Sequence, residues 1–561
     1  MILRPNPDNT AIMKHCPKWV IPILALTFLA GCDGCRDEAP RGALSYVARD
    51  APVVLTVPEL GELSRGLDGF VGQLTRKVGK DVVRKLRTGL TAQIGIDPLK
   101  ATAWKHAGVN ADKPLAIFLE PSTLVPLCVL EVSDPGRFDK AIRGLMVRMD
   151  GANKVVTEQV AGHEVMTIGR PFGADVVPSL HKVRLGNVVL LALGDGREGL
   201  IQGLKRAINP DSGSIEVDPV YQKLTQRSGP GLARVFLRGA SAEPLVGQEL
   251  AALSEGASLS LAAAPTGLEL KGFVATGLEG VASLASLPSA ASLAENIEQG
   301  AAVFGLTQLV RPEGLTLLEK TPALAPLLGR MDRAMKKETG LDLRTDALGL
   351  LAGPATVSVY LTNIKELLSA LRKPDASVRR LVSRLGVAVT AELRDPAKLE
   401  ALLEKSRAAL SKTRAPVRVR EVSIGEHTMK LFEPDRADTT LGWGVAGQHY
   451  VYAVGAGRAE RTARYLLRDA AAKKSMAAAL KESPAFDLAQ RRGASVLVIR
   501  TTELAAAFDD VAELVTGQAK RVGAGQVVNS VIDLVKTLGD IAFSVEPAAG
   551  GLEFTVRERL Q

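Results

Sequence analysis

Apolar positions along this chain keep two rhythms, one of two residues and one of three to four, and the rhythms change places many times. Ala51 to Val57 is an apolar run rich in β-branched residues, which predicts a strand. Between Leu63 and Leu90 the spacing lengthens. Leu67, Phe70, Val71, Leu74, Val78, Val82, Val83, Leu86 and Leu90 fall on one helical stripe, which predicts an amphipathic helix. Its other face carries Arg76, Lys77, Lys80, Arg84, Lys85 and Arg87. That face reads first as solvated and second as a surface toward phospholipid or another anionic polymer. Leu115 to Leu119 and Leu127 to Val132 predict two strands. Asp134-Pro135 ends the second, with Asp134 placed as an N-cap and Pro135 at the first helical position. Phe138, Ile142, Leu145 and Met146 form the inward stripe of the helix that follows. Hairpins are predicted around Gly162-His163 and around Gly186-Asn187. A helix to about Ala207, a strand from Leu232 to Leu237 and a closing hairpin over 259–273 complete the series.

Much of the same grammar returns later in the chain. Glu131, Asp134, Pro135, Arg137, Phe138 and Asp139 match Glu392, Asp395, Pro396, Lys398, Leu399 and Glu400 at an offset of 261. Gly194-Asp-Gly196-Arg197 matches Gly455-Ala-Gly457-Arg458 at the same offset, and Ala233-Arg-Val235 matches Ala494-Ser-Val496. Three anchors on one offset point to a tandem duplication of a domain-sized unit. Helical segments at 364–385 and 503–516 and a final alternating strand, with Leu552, Phe554 and Val556 inward, are expected in the second copy. Hairpins joined to amphipathic helices, without strict βαβ alternation, predict an α+β fold. Two tandem related domains of antiparallel sheet are expected, the first over 46–275 and the second over 301–561, with a linker at 276–300.

Composition narrows the function classes. Aromatic residues make up 4% of the chain, which argues against stacking platforms for sugars or single strands. The formal charge is +9. Arg4, Lys14 and Lys18 against Asp8 place +2 of it before residue 32, leaving +7 on the remainder. Spread over so long a chain, this charge favours anionic envelope surfaces slightly and implies no nucleic-acid partner. The cysteines are Cys16, Cys32, Cys35 and Cys128, too few and too clustered for a disulfide framework. Cys128 lies in a predicted strand and reads as a core thiol.

The N-terminus carries an address. Trp19 to Ala30 is an apolar run of 12 residues after Lys14 and Lys18, too short for an ordinary span and suited to a signal-peptide core. It ends in Leu29-Ala30-Gly31-Cys32. This ending resembles the lipobox of bacterial lipoproteins. The resemblance implies a thioether-linked diacylglycerol on Cys32, cleavage before it and acylation of the new N-terminus. It makes 1–31 a signal peptide, with Met1 or Met13 as the start, and 32–45 a flexible tether. A lipidated Cys32 cannot cycle as a thiol with Cys35. Asp33 resembles the inner-membrane retention signal of enteric bacteria, and the choice of inner or outer membrane stays open. The mature chain also resembles large exported bacterial proteins with an internal duplication, a likeness that brings no activity with it.

Catalytic signatures are scarce. Gly194-x-Gly196-x-x-Gly199 follows a strand and opens a helix, the setting of a dinucleotide fingerprint, and Glu216 lies at the distance of a ribose-binding acid. The preceding strand belongs to a predicted hairpin, however. The second copy reads Gly455-x-Gly457-x-x-Glu460, where a glutamate would crowd and repel a pyrophosphate. A tight turn that needs glycine freedom is the preferred reading. His106, His163, His181, His427 and His449 make no His-Glu-x-x-His and no zinc-site spacing. His163 and His427 read as hairpin polar residues. Ser179-Leu-His-Lys182 fits Ser-x-x-Lys without its usual companions. No catalytic, metal or cofactor site is therefore expected. The expected function is a lipid-anchored cell-envelope lipoprotein with a non-catalytic binding or scaffolding role. Its partner would be an envelope protein, a lipid or a wall polymer. One alternative is an envelope lipid or lipoprotein carrier with a dry apolar cavity. The other is an exported hydrolase without a recognisable motif.

Overall fold

A computed structural model describes residues 42–558, apart from 244–254, 309–328, 362–385, 411–416, 435–440, 469–472, 507–538 and shorter breaks of one to four residues. Cys16, Cys32, Cys35, the lipobox, the predicted helix at 364–385 and most of that at 503–516 lie outside the described residues. The fold combines helices with extensive antiparallel sheet. Contacts divide the chain into two compact units. Residues to Ala242, apart from 76–78, cluster with Ser260–Ala263, and the rest form the second unit.

The first unit contains β1 (Val53–Val57), β2 (Leu115–Leu119), β3 (Pro126–Glu131), β4 (Lys154–Val160), β5 (His163–Phe172), β6 (Asp175–Leu185), β7 (Val188–Leu193) and β8 (Ala233–Leu237). They pair antiparallel in the order β8-β1-β2-β3-β7-β6-β5-β4. The helices are α1 (Leu60–Val78), α2 (Ala101–His106), α3 (Pro135–Asp150), α4 (Arg197–Ala207) and α5 (Pro219–Ser228). The duplicated Asp-Pro motif begins α3. Asp134 accepts from the Arg137 amide at 3.0 Å, and Pro135 occupies the first turn. Phe138, Ile142, Leu145 and Met146 are all buried, against Leu130, Met166, Ile168, Leu180, Val189 and Leu191 of the sheet. Trp104 of α2 joins this core and donates its indole N–H to Ser64 Oγ at 2.8 Å, so the buried ring leaves no orphan donor.

β9 (Gly256–Ala264) and β10 (Gly267–Ala275) follow. The second unit then contains β11 (Val303–Thr307), β12 (Leu351–Tyr360), β13 (Gly386–Leu393), β14 (Val417–Ile424), β15 (His427–Pro434), β16 (Leu441–Ala446), β17 (His449–Val454), β18 (Ser495–Ile499), β19 (Ile541–Ala548) and β20 (Gly551–Glu558). Eight of these pair as β18-β11-β12-β13-β17-β16-β15-β14. Strand for strand this is the order found in the first unit. Beyond β18 the ladder continues through β19 and β20 to β10. α6 (Pro396–Leu410), α7 (Arg458–Leu466), α8 (Ala477–Glu482) and α9 (Phe486–Ala489) cover it. Asp395 repeats the cap, accepting from the Lys398 amide at 3.0 Å.

Four expectations need correction. The stretch expected as a linker at 276–300 is packed where the turns are described. Two 3-10 turns, Val281–Ser286 and Ala291–Asn296, bury Val281, Leu284, Leu293 and Ala294 in the second unit. In β20 the buried residues are Gly551 and Thr555, while Leu552, Phe554 and Val556 are half-buried. Phe554 stands against Gly272 of β10, in the space a side chain would otherwise fill. β10 itself groups with the second unit rather than ending the first, because it pairs along its length with β20. The stripe of α1 is helical, yet Leu67, Phe70 and Val71 are only half-buried, and burial concentrates at Leu60 and Ser64.

Because Phe138 is fully buried, Phe138→Ala should cost about 3–5 kcal/mol. Urea unfolding of the chain should show the loss as a lower midpoint.

Candidate functional site

The glycine-rich turn appears once in each unit, and the two copies are built differently. In the first, Gly194 has φ +60° and the helix α4 starts three residues on. A Cβ at Gly196 would meet Val125 Cγ1 at 2.9 Å, and one at Gly199 would meet Val125 Cβ at 2.6 Å. The glycines therefore make room for Val125 of the β2–β3 loop. β7 before the turn pairs antiparallel with β6 and β3, so no parallel βαβ unit surrounds it. Glu216 accepts from Ser45 Oγ at 2.9 Å.

In the second unit the turn opens onto a cleft of about 470 Å³ lined by Glu298, Gly457, Glu460, Arg461, Arg464 and Arg468. Gly457 has φ +64°, which turns the chain from β17 into α7 at no steric cost. Arg461 and Arg464 then lie one turn apart on the helix, with Arg468 just beyond its end. The wall opposite is the segment 295–298. It is held by backbone hydrogen bonds between Met476 and Ile297 and between Gln299 and Lys474. The Tyr360 hydroxyl donates to the Glu298 carbonyl at 3.1 Å, and the Tyr465 hydroxyl donates to the Glu295 carbonyl at 2.7 Å. Burial pushes the Tyr465 phenol up to about 12, so it stays a donor throughout the physiological range.

Carboxylates set the arginines. Glu298 accepts from Arg461 Nε and Nη2 at 2.9–3.1 Å and from Arg458 Nη2 at 3.1 Å. Arg458 is buried, and its guanidinium carbon lies 3.4 Å from the centre of the Tyr360 ring. Burial is the largest influence on Arg458 and lowers its pKa; Tyr360 and Glu298 act in the opposite direction. Glu460 accepts from Arg464 Nε and Nη2 at 2.9 and 2.7 Å and from Arg420 Nη1 at 2.8 Å. Those bonds, first from Arg464 and then from Arg420, hold the Glu460 carboxyl below its usual range. The glutamate that argued against an anion site is thus neutralised twice. Arg420, Arg458, Arg461, Arg464 and Arg468 stand against Glu298, Glu460 and Glu433, which also pairs with Arg420, an excess of two positive charges. Among the described residues, no carboxylate pairs with Arg468. An arrangement of fixed guanidinium forks suits phosphate or carboxylate oxygens.

The remaining sequence candidates lie apart from the cleft. Lys182 of the Ser-x-x-Lys match donates to Asp139 Oδ1 at 2.8 Å inside the first unit, with both residues buried. His181 is buried beside Thr167, 2.8 Å from its hydroxyl, and burial lowers its pKa. His163 and His427 begin β5 and β15 at the hairpin turns, His106 is exposed in α2, and His449 opens β17. Cys128 is a buried free thiol pushed up to about 12 by burial. Among the described residues, no group of three His, Cys, Asp or Glu is placed to hold a metal. No described helix is long and apolar enough to cross a membrane. Sequence reading passed over the arginine row. Its signal was the spacing of Arg461, Arg464 and Arg468 immediately after the second glycine turn.

No family model and no curated protein matches this chain. Among solved structures, a crystal form of TP0453 is similar over 43% of this chain and 82% of that chain, with 10% identity and a TM-score of 0.25.

Two outcomes follow. Lys182→Met alone should cost about 3–5 kcal/mol, because it removes the buried cation bonded to the Asp139 carboxylate, and adding Asp139→Leu should recover most of the loss. Urea denaturation of both variants measures this. The depressed Glu460 adds stability that is full above its unfolded pKa near 4.5 and is lost as pH falls through its lower folded value. Glu460→Gln should therefore flatten the acid limb of a thermal-midpoint titration below pH 4.5 and leave the limb above it parallel to the parent.

Proposed function

We propose that this chain is a lipid-anchored cell-envelope lipoprotein that binds an anionic ligand without transforming it. Cys32 carries the acyl anchor, and the second unit carries the binding site. The observation that supports the binding role is the cleft at Gly457, where arginines are oriented by Glu298 and Glu460 and retain an excess of positive charge. The duplication adds to this reading. The two units share one strand order and one capping motif, consistent with two related tandem domains. Their glycine turns then diverge, the first filled by Val125 and the second open. A site that appears in one copy of a repeated scaffold fits a binding function grafted on a structural frame. A lipid tether and a basic cleft together suit a ligand that is itself held in the envelope.

Two measurements test the reading. Cys32→Ala should abolish acyl labelling and move the chain from the membrane to the soluble fraction; a variant that stays membrane-bound contradicts the anchor. For the cleft, Arg461→Ala combined with Arg464→Ala should weaken binding of a panel of small anions. The panel comprises phosphate, sulfate and a dicarboxylate, measured by calorimetry. Each charge-assisted bond lost corresponds to roughly 10-fold or more in affinity. Equal binding by parent and variant would remove the cleft from consideration.

A further inference from the structure

We propose that the cleft takes a linear polyanion, a chain whose phosphate or carboxylate groups repeat along its length, laid along the arginine row beside α7. This rests on the reading of the cleft as an anion site. Arg461 and Arg464 stand at i and i+3 on α7, about 4.5 Å apart along its axis at a rise of 1.5 Å per residue, and Arg468 follows past the helix end. The three guanidinium groups offer separate anchoring points, which a chain with charges at successive steps can occupy together.

The hydrogen bonds fix which ends of the arginines are offered. Arg461 spends Nε and Nη2 on Glu298, and Arg464 spends Nε and Nη2 on Glu460. Among the described residues, the Nη1 end of each is uncommitted, and so is the whole fork of Arg468. Arg461 and Arg464 are well exposed, at 61% and 44%, so a ligand meets them without displacing either carboxylate. The carboxylates act as backing for the row. They hold two long side chains in place and lower the ordering cost that a ligand would otherwise bear. Among the described residues Arg468 has no such backing, and it sits at the end of the row. It is therefore the residue that distinguishes a ligand long enough to span from one that is not. The row is one-sided in sign as well: its carboxylates already accept from Arg420, Arg458, Arg461 and Arg464.

The test uses the detergent-purified full chain and linear polyphosphates of one to eight units, with vesicles containing an anionic phospholipid as the second probe. Affinity should rise at least 10-fold from inorganic phosphate to the length that spans the row, then level off. Arg468→Gln should remove that gain. Arg468→Lys should keep part of the gain, and the unfolding midpoints of both variants should match the parent, since Arg468 is exposed. Affinity that does not grow with length overturns the proposal and leaves a single-anion site standing. Arginine-dependent binding to vesicles alone, with polyphosphate ignored, also overturns it and assigns the site to a lipid headgroup. Failure of every probe to bind would remove the anion reading together with the proposal.

Discussion

An antiparallel sheet that buries one face under short helices depends on how sharply the chain can leave a strand and enter a helix. In this protein that constraint is met by two devices, and each is used in both units. One is an aspartate cap with proline behind it, at Asp134 and Asp395. It satisfies an orphan amide of the first helical turn and fixes the next φ. The other is a glycine turn, at Gly194 and its counterpart Gly455, whose positive φ brings the helix back over the sheet. Once the turns are fixed, the inward stripe of each helix faces the sheet. Phe138, Ile142 and Leu145 then have one place to go, and so do Ala459, Ala463 and Leu466.

Charge is handled differently in the two units. Lys182 and Asp139 form a pair closed off from water between α3 and the sheet. Lys430, paired with Glu400 and Glu404, does a similar job from another strand, half in solvent. A closed pair is expensive to break and specifies its partner. An open one contributes little and tolerates change. The arginine cleft belongs to the second kind. Its ion pairs are mostly exposed and act on orientation more than on stability. The one deeply buried member, Arg458, is supported by an aromatic ring beneath it and a glutamate beside it.

Much of the fold was legible in the sequence because local chemistry and global position agree there. The hairpins at Gly162 and Gly186, the caps at Asp134 and Asp395, and the Phe138 stripe needed no tertiary information. The helix α5 was missed although Asp218-Pro219 repeats the same capping signal, because its stripe is short and its neighbours polar. β5 and β6 run well beyond their apolar cores to Phe172 and Asp175, since a ladder can extend by backbone bonds alone. The alternation of β20 misled because Gly272 leaves a hollow that Phe554 fills from the less buried face. As for the cleft, Glu460 looked like a repulsive charge while Arg420, distant in sequence, was out of view. Only the fold brings that arginine to within 2.8 Å of it.

The pairing of β10 with β20 bears on how this chain is made. Glu269 meets Arg557 across 288 residues of sequence, and β20 ends at Glu558. During synthesis at about 5–20 residues per second, β10 is finished tens of seconds before its neighbour exists. Its hydrogen-bonding edge must wait uncovered through that interval, and an uncovered edge is a template for the wrong strand. The closing step of the second unit therefore waits for β20.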